Sequence, residues 1–220
     1  KRNKMTIRLI GFGNSVCTIR VILCLKELGL SYKLTPHAGG YAALKDKDYL
    51  ANEHPFGKVP VLYDDKFKIT ESRAICRYLA FKHQGKHNDT ILIPNDIHEA
   101  GLTEQLISYG SSYYSPAIEK IVMQEIYEKD KGKTPDPVVI NQGRKEIEEV
   151  LNVYDKILEG KEYLNGKFSL ADLILCPITH YAHIAKHSDL WDKKPNVKKW
   201  WNRLKNRDAW KKTLEDAKNA

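Results

Sequence analysis

HPFGKVPVLYDDKFKITESRAICRYL, residues 54–79, decides the architecture of the first half of the chain. Val59 to Tyr63 and Phe67 to Ile69 are rich in β-branched and aromatic residues and read as strands, joined by the turn Asp64-Asp65-Lys66. Glu71 to His83 then reads as a helix, with Ile75, Tyr78 and Leu79 on one face. The Val59-Pro60 pair stands where a strand begins, a place that suits a cis proline. In that geometry Val59 would present its backbone N–H and C=O outward, ready to pair with an extended peptide. Ser72 opens a helix and so offers its hydroxyl and N–H groups to a carboxylate at the positive end of the dipole. Helix capping alone explains the same serine, and an acidic Glu71 suits a first turn in either case.

Upstream, Thr6 to Ile10 is a strand, Thr18 to Leu28 a helix stopped by Gly29, and Ser31 to Thr35 a second strand. Handedness makes the two strands parallel. Lys45 to Ala51 adds a short helix. The loop Gly11-Phe12-Gly13-Asn14-Ser15-Val16-Cys17-Thr18 lies at the carboxyl edge of the sheet, where open α/β sheets bind ligands. A hydroxyl at Ser15 would sit beside helix-terminal N–H groups that stabilise an anion, a thiolate included; plain N-capping is the competing reading.

Residues 1–84 therefore read as a βαβ-ββα domain, 85–95 as a polar linker ending near Pro94, and 96–220 as an all-helical domain. In the last, Ile97–Ile107, Ile118–Tyr127 and Ile147–Leu158 carry the helical period, with Pro135 and Pro137 as separators. Ser169-Leu170-Ala171-Asp172 has capping-box spacing ahead of an apolar helix.

The 220 residues carry a net charge of +8, spread along the chain with a concentration near the C-terminus. No nucleic-acid-binding pattern accompanies it, so a solvated basic face is expected, one that attracts small anions. No apolar run is long enough to span a membrane, and none of signal type follows Lys1-Arg2-Asn3-Lys4. The cysteines Cys17, Cys24, Cys76 and Cys176 show neither metal spacing nor a CxxC pair. Free thiols in the cytoplasm, with no metal and no bound cofactor, are expected.

Four segments resemble the cytosolic glutathione transferases, in order and over essentially the whole chain from Thr6: SVCTIRVILCLKELGL (15–30), HPFGKVPVL (54–62), ESRAICRYLA (71–80) and YLNGKFSLADLILCPI (163–178) with PNVKKWWNRLKNRDAWKK (195–212). The chain is most similar to the phi class in its fungal form. The resemblance implies a thioredoxin-like domain followed by a helical domain, glutathione as co-substrate, a hydrophobic electrophile or peroxide as second substrate, and a homodimer. It puts Ser15 where the family keeps the serine that hydrogen-bonds the glutathione sulfur. Val59 and Pro60 fall on the cysteinyl-binding edge, and Glu71 and Ser72 on the γ-glutamyl pocket. The family's glutamine before Val-Pro is Lys58 here, and its His-Lys pair is replaced by Leu44-Lys45-Asp46-Lys47. Lys45, Lys47 and Lys58 are the candidates for the glycine carboxylate. Phe12, Tyr113, Tyr114, Ile118 and Tyr181 are candidates for an electrophile pocket between the domains, and equally for core aromatics and aliphatics. An exposed Phe56 would insert into a partner subunit. Cys17, two residues beyond the serine, reads as packing rather than as a nucleophile.

A non-catalytic transferase-like module and a carrier of hydrophobic ligands are the alternative functions. A thiol-disulfide reductase fits less well.

Overall fold

The computed structural model describes residues 7–219 and resolves into two compact units. The strand start expected at Thr6 and the basic residues before it lie outside the described residues.

In the first unit, β1 (Ile7–Ile10) leads into α1 (Val16–Glu27) and back to β2 (Tyr32–Thr35), which pairs parallel to β1 as handedness requires. A 3-10 turn at Ala42–Lys45 precedes the short helix α2 (Lys47–Asn52). β3 (Val61–Asp64) and β4 (Phe67–Thr70) form the expected hairpin, and α3 (Ser72–His83) follows. The sheet order is β2-β1-β3-β4, with β3 antiparallel to β1. This is the thioredoxin-like βαβ-ββα arrangement. α1 is buried almost throughout, because α3 packs on one side of it and a helix from the chain's far end on another.

That last helix corrects the expected boundary. α10 (Asp208–Lys218, numbered in the order below) belongs to the first unit, as do all described residues from Arg207, while the second unit runs from Leu92 to Asn206. The cause is a set of ionic contacts laid across α1. Arg207 grips Glu27 through two hydrogen bonds of 2.6 and 2.7 Å, and Glu27 is only 5% exposed. Asp216 meets Lys26 at 2.6 Å and accepts from the Tyr32 hydroxyl at 2.5 Å. The basic residues that read as a solvated face are thus partly spent on holding the C-terminal helix to α1.

The second unit is all helical: α4 (Ile97–Tyr109), α5 (Ser115–Val122), α6 (Pro137–Ile157), α7 (Leu170–Ile184), the single turn α8 (Asp189–Asp192) and α9 (Pro195–Lys205). A π-helical turn at Gly110–Tyr114 joins α4 to α5 in one continuous rod, where the sequence suggested two separate helices, and a second at Met123–Glu128 extends α5. The capping box at Ser169 and Asp172 forms as expected. Asp172 is fully buried and accepts from Leu164 N–H (2.9 Å), Ser169 N–H (3.0 Å), the Ser169 hydroxyl (3.1 Å) and Trp200 Nε1 (2.8 Å), so it ties the loop before α7 to α9. No helix among the described residues is long and apolar enough to cross a membrane.

Replacing Asp172 by Ala would strand these buried donors, each costing about 1–3 kcal/mol when left unsatisfied. A loss of about 3 kcal/mol or more in urea unfolding is expected, with a cooperative transition retained.

Candidate functional site

The site is made where two helices begin. Ser15 caps α1 in an extended conformation (φ −91°, ψ 118°), and its oxygen accepts from Thr18 N–H at 3.3 Å. With that oxygen engaged as acceptor, the hydroxyl proton is available to a ligand on the open side of the loop. Ser72 begins α3 and is 5% exposed. Its Oγ accepts from Arg20 at 2.6 Å, which likewise leaves the Ser72 proton to donate. Arg20 itself is 2% exposed and also reaches Cys17 Sγ at 3.5 Å. One guanidinium therefore links the first turn of α1 to the first residue of α3. Two positive helix ends and a buried cation at one place are the kind of arrangement that suits an anion.

Glu71, just before α3, holds a left-handed backbone (φ 67°), a conformation disfavoured for a non-glycine residue, and its side chain is 72% exposed. Its carboxylate lies 3.6 Å from Nε2 of the buried His54. Burial pushes the His54 pKa down, and Glu71 opposes this only in part, so the imidazole is neutral at pH 7. His54 Nδ1 accepts from Phe56 N–H at 3.2 Å and so folds the loop that leads to Val59.

That loop carries the cis peptide Val59-Pro60. The strand starts two residues later than the sequence suggested, at Val61, and Val59 takes part in none of the backbone hydrogen bonds found among the described residues. Its N–H and C=O are thus left for an added strand. Two contacts and a glycine turn brace the loop. Tyr49 donates to the Lys58 carbonyl at 2.8 Å, Lys45 Nζ donates to the Phe56 carbonyl at 2.8 Å, and Gly57 turns the chain at φ 59°. Lys47 and Lys58 are exposed.

The remaining candidates separate. Phe12 lies in the first unit, its ring 4.3 Å from that of Tyr41. Tyr113 is 61% exposed and lines a groove of about 580 Å³ with Tyr109, Pro116 and Val153. Tyr114, Ile118 and Tyr181, which the sequence offered equally as pocket or as core residues, are buried in the helical unit. Tyr114 spends its hydroxyl on Thr179 (2.7 Å) and Trp191 Nε1 (3.0 Å), and Tyr181 stacks on Tyr127. The sequence reading passed over Arg20, His54 and Tyr41. Arg20 carried a signal, a lone charge within the apolar run Ile19–Leu23. Tyr41 carried none. Among the described residues no group of three or more His, Cys, Asp or Glu is arranged to hold a metal.

Residues 5–81 match the glutathione S-transferase N-terminal domain, and residues 114–208 match the glutathione S-transferase C-terminal domain. Glutathione S-transferase F13 of Arabidopsis thaliana is 34% identical over 209 residues, 94% of each chain. Glutathione S-transferase hmp2 of Hypomyces subiculosus is 37% identical over 218 residues, 97% of this chain and 100% of that one. The solved structure of glutathione S-transferase I from maize, in complex with an atrazine glutathione conjugate, is similar with a TM-score of 0.88 at 30% identity, over 97% of this chain and 99% of that one. The chain belongs to the glutathione S-transferase family, and its relatives include members bearing the F designation of the phi class.

A Cβ on Gly57 would fall 2.3 Å from the Leu44 carbonyl oxygen, at a backbone angle that disfavours side chains. Gly57→Ala is therefore expected to cost about 1–3 kcal/mol in thermal or urea unfolding, and to weaken any ligand that pairs with Val59.

Proposed function

We propose that this chain is a fungal-type, phi-class glutathione transferase in which Ser15 stabilises the thiolate of bound glutathione for attack on a hydrophobic electrophile. The observation that carries the reading is the junction of Ser15, Arg20 and Ser72, where two helix N-termini meet over a buried cation. The 37% identity to a relative from Hypomyces supports the fungal affiliation.

The γ-glutamyl carboxylate suits the start of α3, where Ser72 offers its hydroxyl proton and the helix its N–H groups. The exposed Glu71 carboxylate suits the γ-glutamyl ammonium. The cysteinyl unit pairs with the free backbone edge of Val59, ahead of Pro60. Of the three lysines, Lys45 is already fixed on the loop that carries Val59, through the Phe56 carbonyl, and is assigned to the glycine carboxylate; Lys47 and Lys58 add positive potential from exposed positions.

A free thiol with a pKa of about 8.5 is only a few per cent ionised at neutral pH. Lowering it by ~2 units takes about 2.7 kcal/mol of preferential thiolate stabilisation. A hydroxyl donor at Ser15 and the amide groups of the first turn of α1 are of the right kind to provide it. The thiol proton passes to solvent, the sulfur lone pair forms the new bond to the electrophilic carbon, and a leaving group departs with the bonding pair. Phe12 and the Tyr41 ring provide apolar surface beside this loop. Cys17 takes no part: its sulfur contacts Arg20 inside the unit, and all four cysteines are free, in keeping with a cytoplasmic protein.

The chain is further read as a homodimer. Phe56 is 71% exposed at the tip of its loop, and the Tyr113 groove of a second copy is an apolar receptacle of suitable volume.

Ser15→Ala is expected to lower kcat for a nitro-aromatic halide by about 10–100-fold with glutathione affinity changed little, read by steady-state kinetics and calorimetric binding; unchanged turnover would sink the assignment. Phe56→Glu is expected to convert a dimer to monomers in sedimentation velocity, and a wild-type profile would remove Phe56 from the interface.

A further inference from the structure

A second hydroxyl stands beside Ser15. Gly39 and Gly40, both in the left-handed region (φ 82° and 68°), swing the segment after β2 so that Tyr41 comes down on the first loop. Its ring packs on Phe12 at 4.3 Å, and its phenol donates to Asn14 Oδ1 at 2.8 Å. The Ser15 side chain reaches the same phenol. Burial raises the Tyr41 pKa, Ser15 draws it partly back, and Cys17, the other titratable group acting on it, raises it again. The phenol therefore keeps its proton at neutral pH. Tyr41 remains 48% exposed, so the hydroxyl pair is open to a ligand.

Without ligand, the phenol donates to a neutral acceptor, Asn14 Oδ1. An anionic sulfur is a better acceptor than an amide oxygen or a phenol, and hydroxyl rotors turn to suit it. The phenol is held at Asn14, the residue before Ser15, so both hydroxyls belong to the same short loop. We propose that Tyr41 is a second catalytic donor to the glutathione sulfur, sharing the thiolate with Ser15, with Asn14 holding the phenol at the loop until glutathione arrives. This rests on the reading that Ser15 faces the sulfur. It goes beyond that reading because Tyr41 comes from the segment between β2 and α2 and lies outside the residues assigned to glutathione above.

The test is the ultraviolet difference absorbance of enzyme-bound thiolate, titrated against pH in the full-length chain and in Tyr41→Phe, Ser15→Ala and the double variant. Glutathione affinity is measured in parallel as the check that each variant is folded. Tyr41→Phe keeps the ring contact with Phe12 and removes only the donor. Its bound thiol is expected to titrate about one pH unit higher than wild type, a tenfold change in ionisation constant, with glutathione affinity within about twofold. Ser15→Ala should keep part of the depression, and the double variant should titrate as free glutathione does. A Tyr41→Phe curve that overlays wild type, or a double variant that overlays Ser15→Ala, overturns the role of Tyr41 while leaving Ser15 in place. A wild-type protein that binds glutathione without lowering its thiol pKa overturns both assignments.

Discussion

A guanidinium removed from water must be met by acceptors, and Arg20 is placed where its acceptors are parts of the site. It donates to Ser72 Oγ at the head of α3 and approaches Cys17 Sγ in the first turn of α1. Those two helices pack against each other, so the burial that excludes water from Arg20 is the same packing that sets the two helix starts side by side. The placing of the two helix starts is therefore a by-product of core formation. The core gives the cation its partners, and the helix ends stay together because the cation bridges them.

The backbone edge at Val59 depends on a separate set of braces. His54, Tyr49, Lys45 and Gly57 each fix a different part of the loop, two of them through main-chain carbonyls. A loop held by its own backbone can change its exposed side chains without changing the path of the chain. This accounts physically for the lysine at position 58 in place of the usual glutamine: the side chain there is exposed, and the carbonyl, held by Tyr49, does the bracing.

Local patterns carried most of the fold in the sequence. The βαβ order, the Asp64–Lys66 hairpin, the capping box at Ser169 and the helix starts at Ser15 and Ser72 each follow from a few neighbouring residues, and the resemblance to the glutathione transferases supplied roles for several of them. Three things did not follow from neighbours. The attachment of α10 to α1 depends on ion pairs between residues 180 and more positions apart, such as Arg207 with Glu27. The π-helical turn at Gly110–Tyr114 continues α4 into α5 as one rod through polar and aromatic residues that carry no helix-joining signal of their own. The burial of Tyr114 and Ile118 turns on which side of that rod faces α7, and an aromatic beside a predicted cleft looks the same in sequence whether it faces in or out. Tyr41 was hidden for another reason, since two glycines bring it back over the first loop and glycine leaves the direction of the chain open.

The placement of α10 also orders events in time. A chain is made from its N-terminus, and the strands and helices up to α3 emerge long before Arg207. Until α10 arrives, the flank of α1 that it covers is open to solvent, and Glu27 and Lys26 lack their partners on it. The unit that begins the chain is thus the last to be completed, closed only when a segment made after the whole helical unit returns to it. The same helix ends against the loop before Ser15: a Cβ on Gly13 would fall 1.9 Å from the Ala217 carbonyl oxygen. The final step of assembly and the loop that starts α1 therefore meet at one contact, so a chain cut short by a few turns would retain every residue assigned to glutathione yet lack the surface against which that loop is pressed.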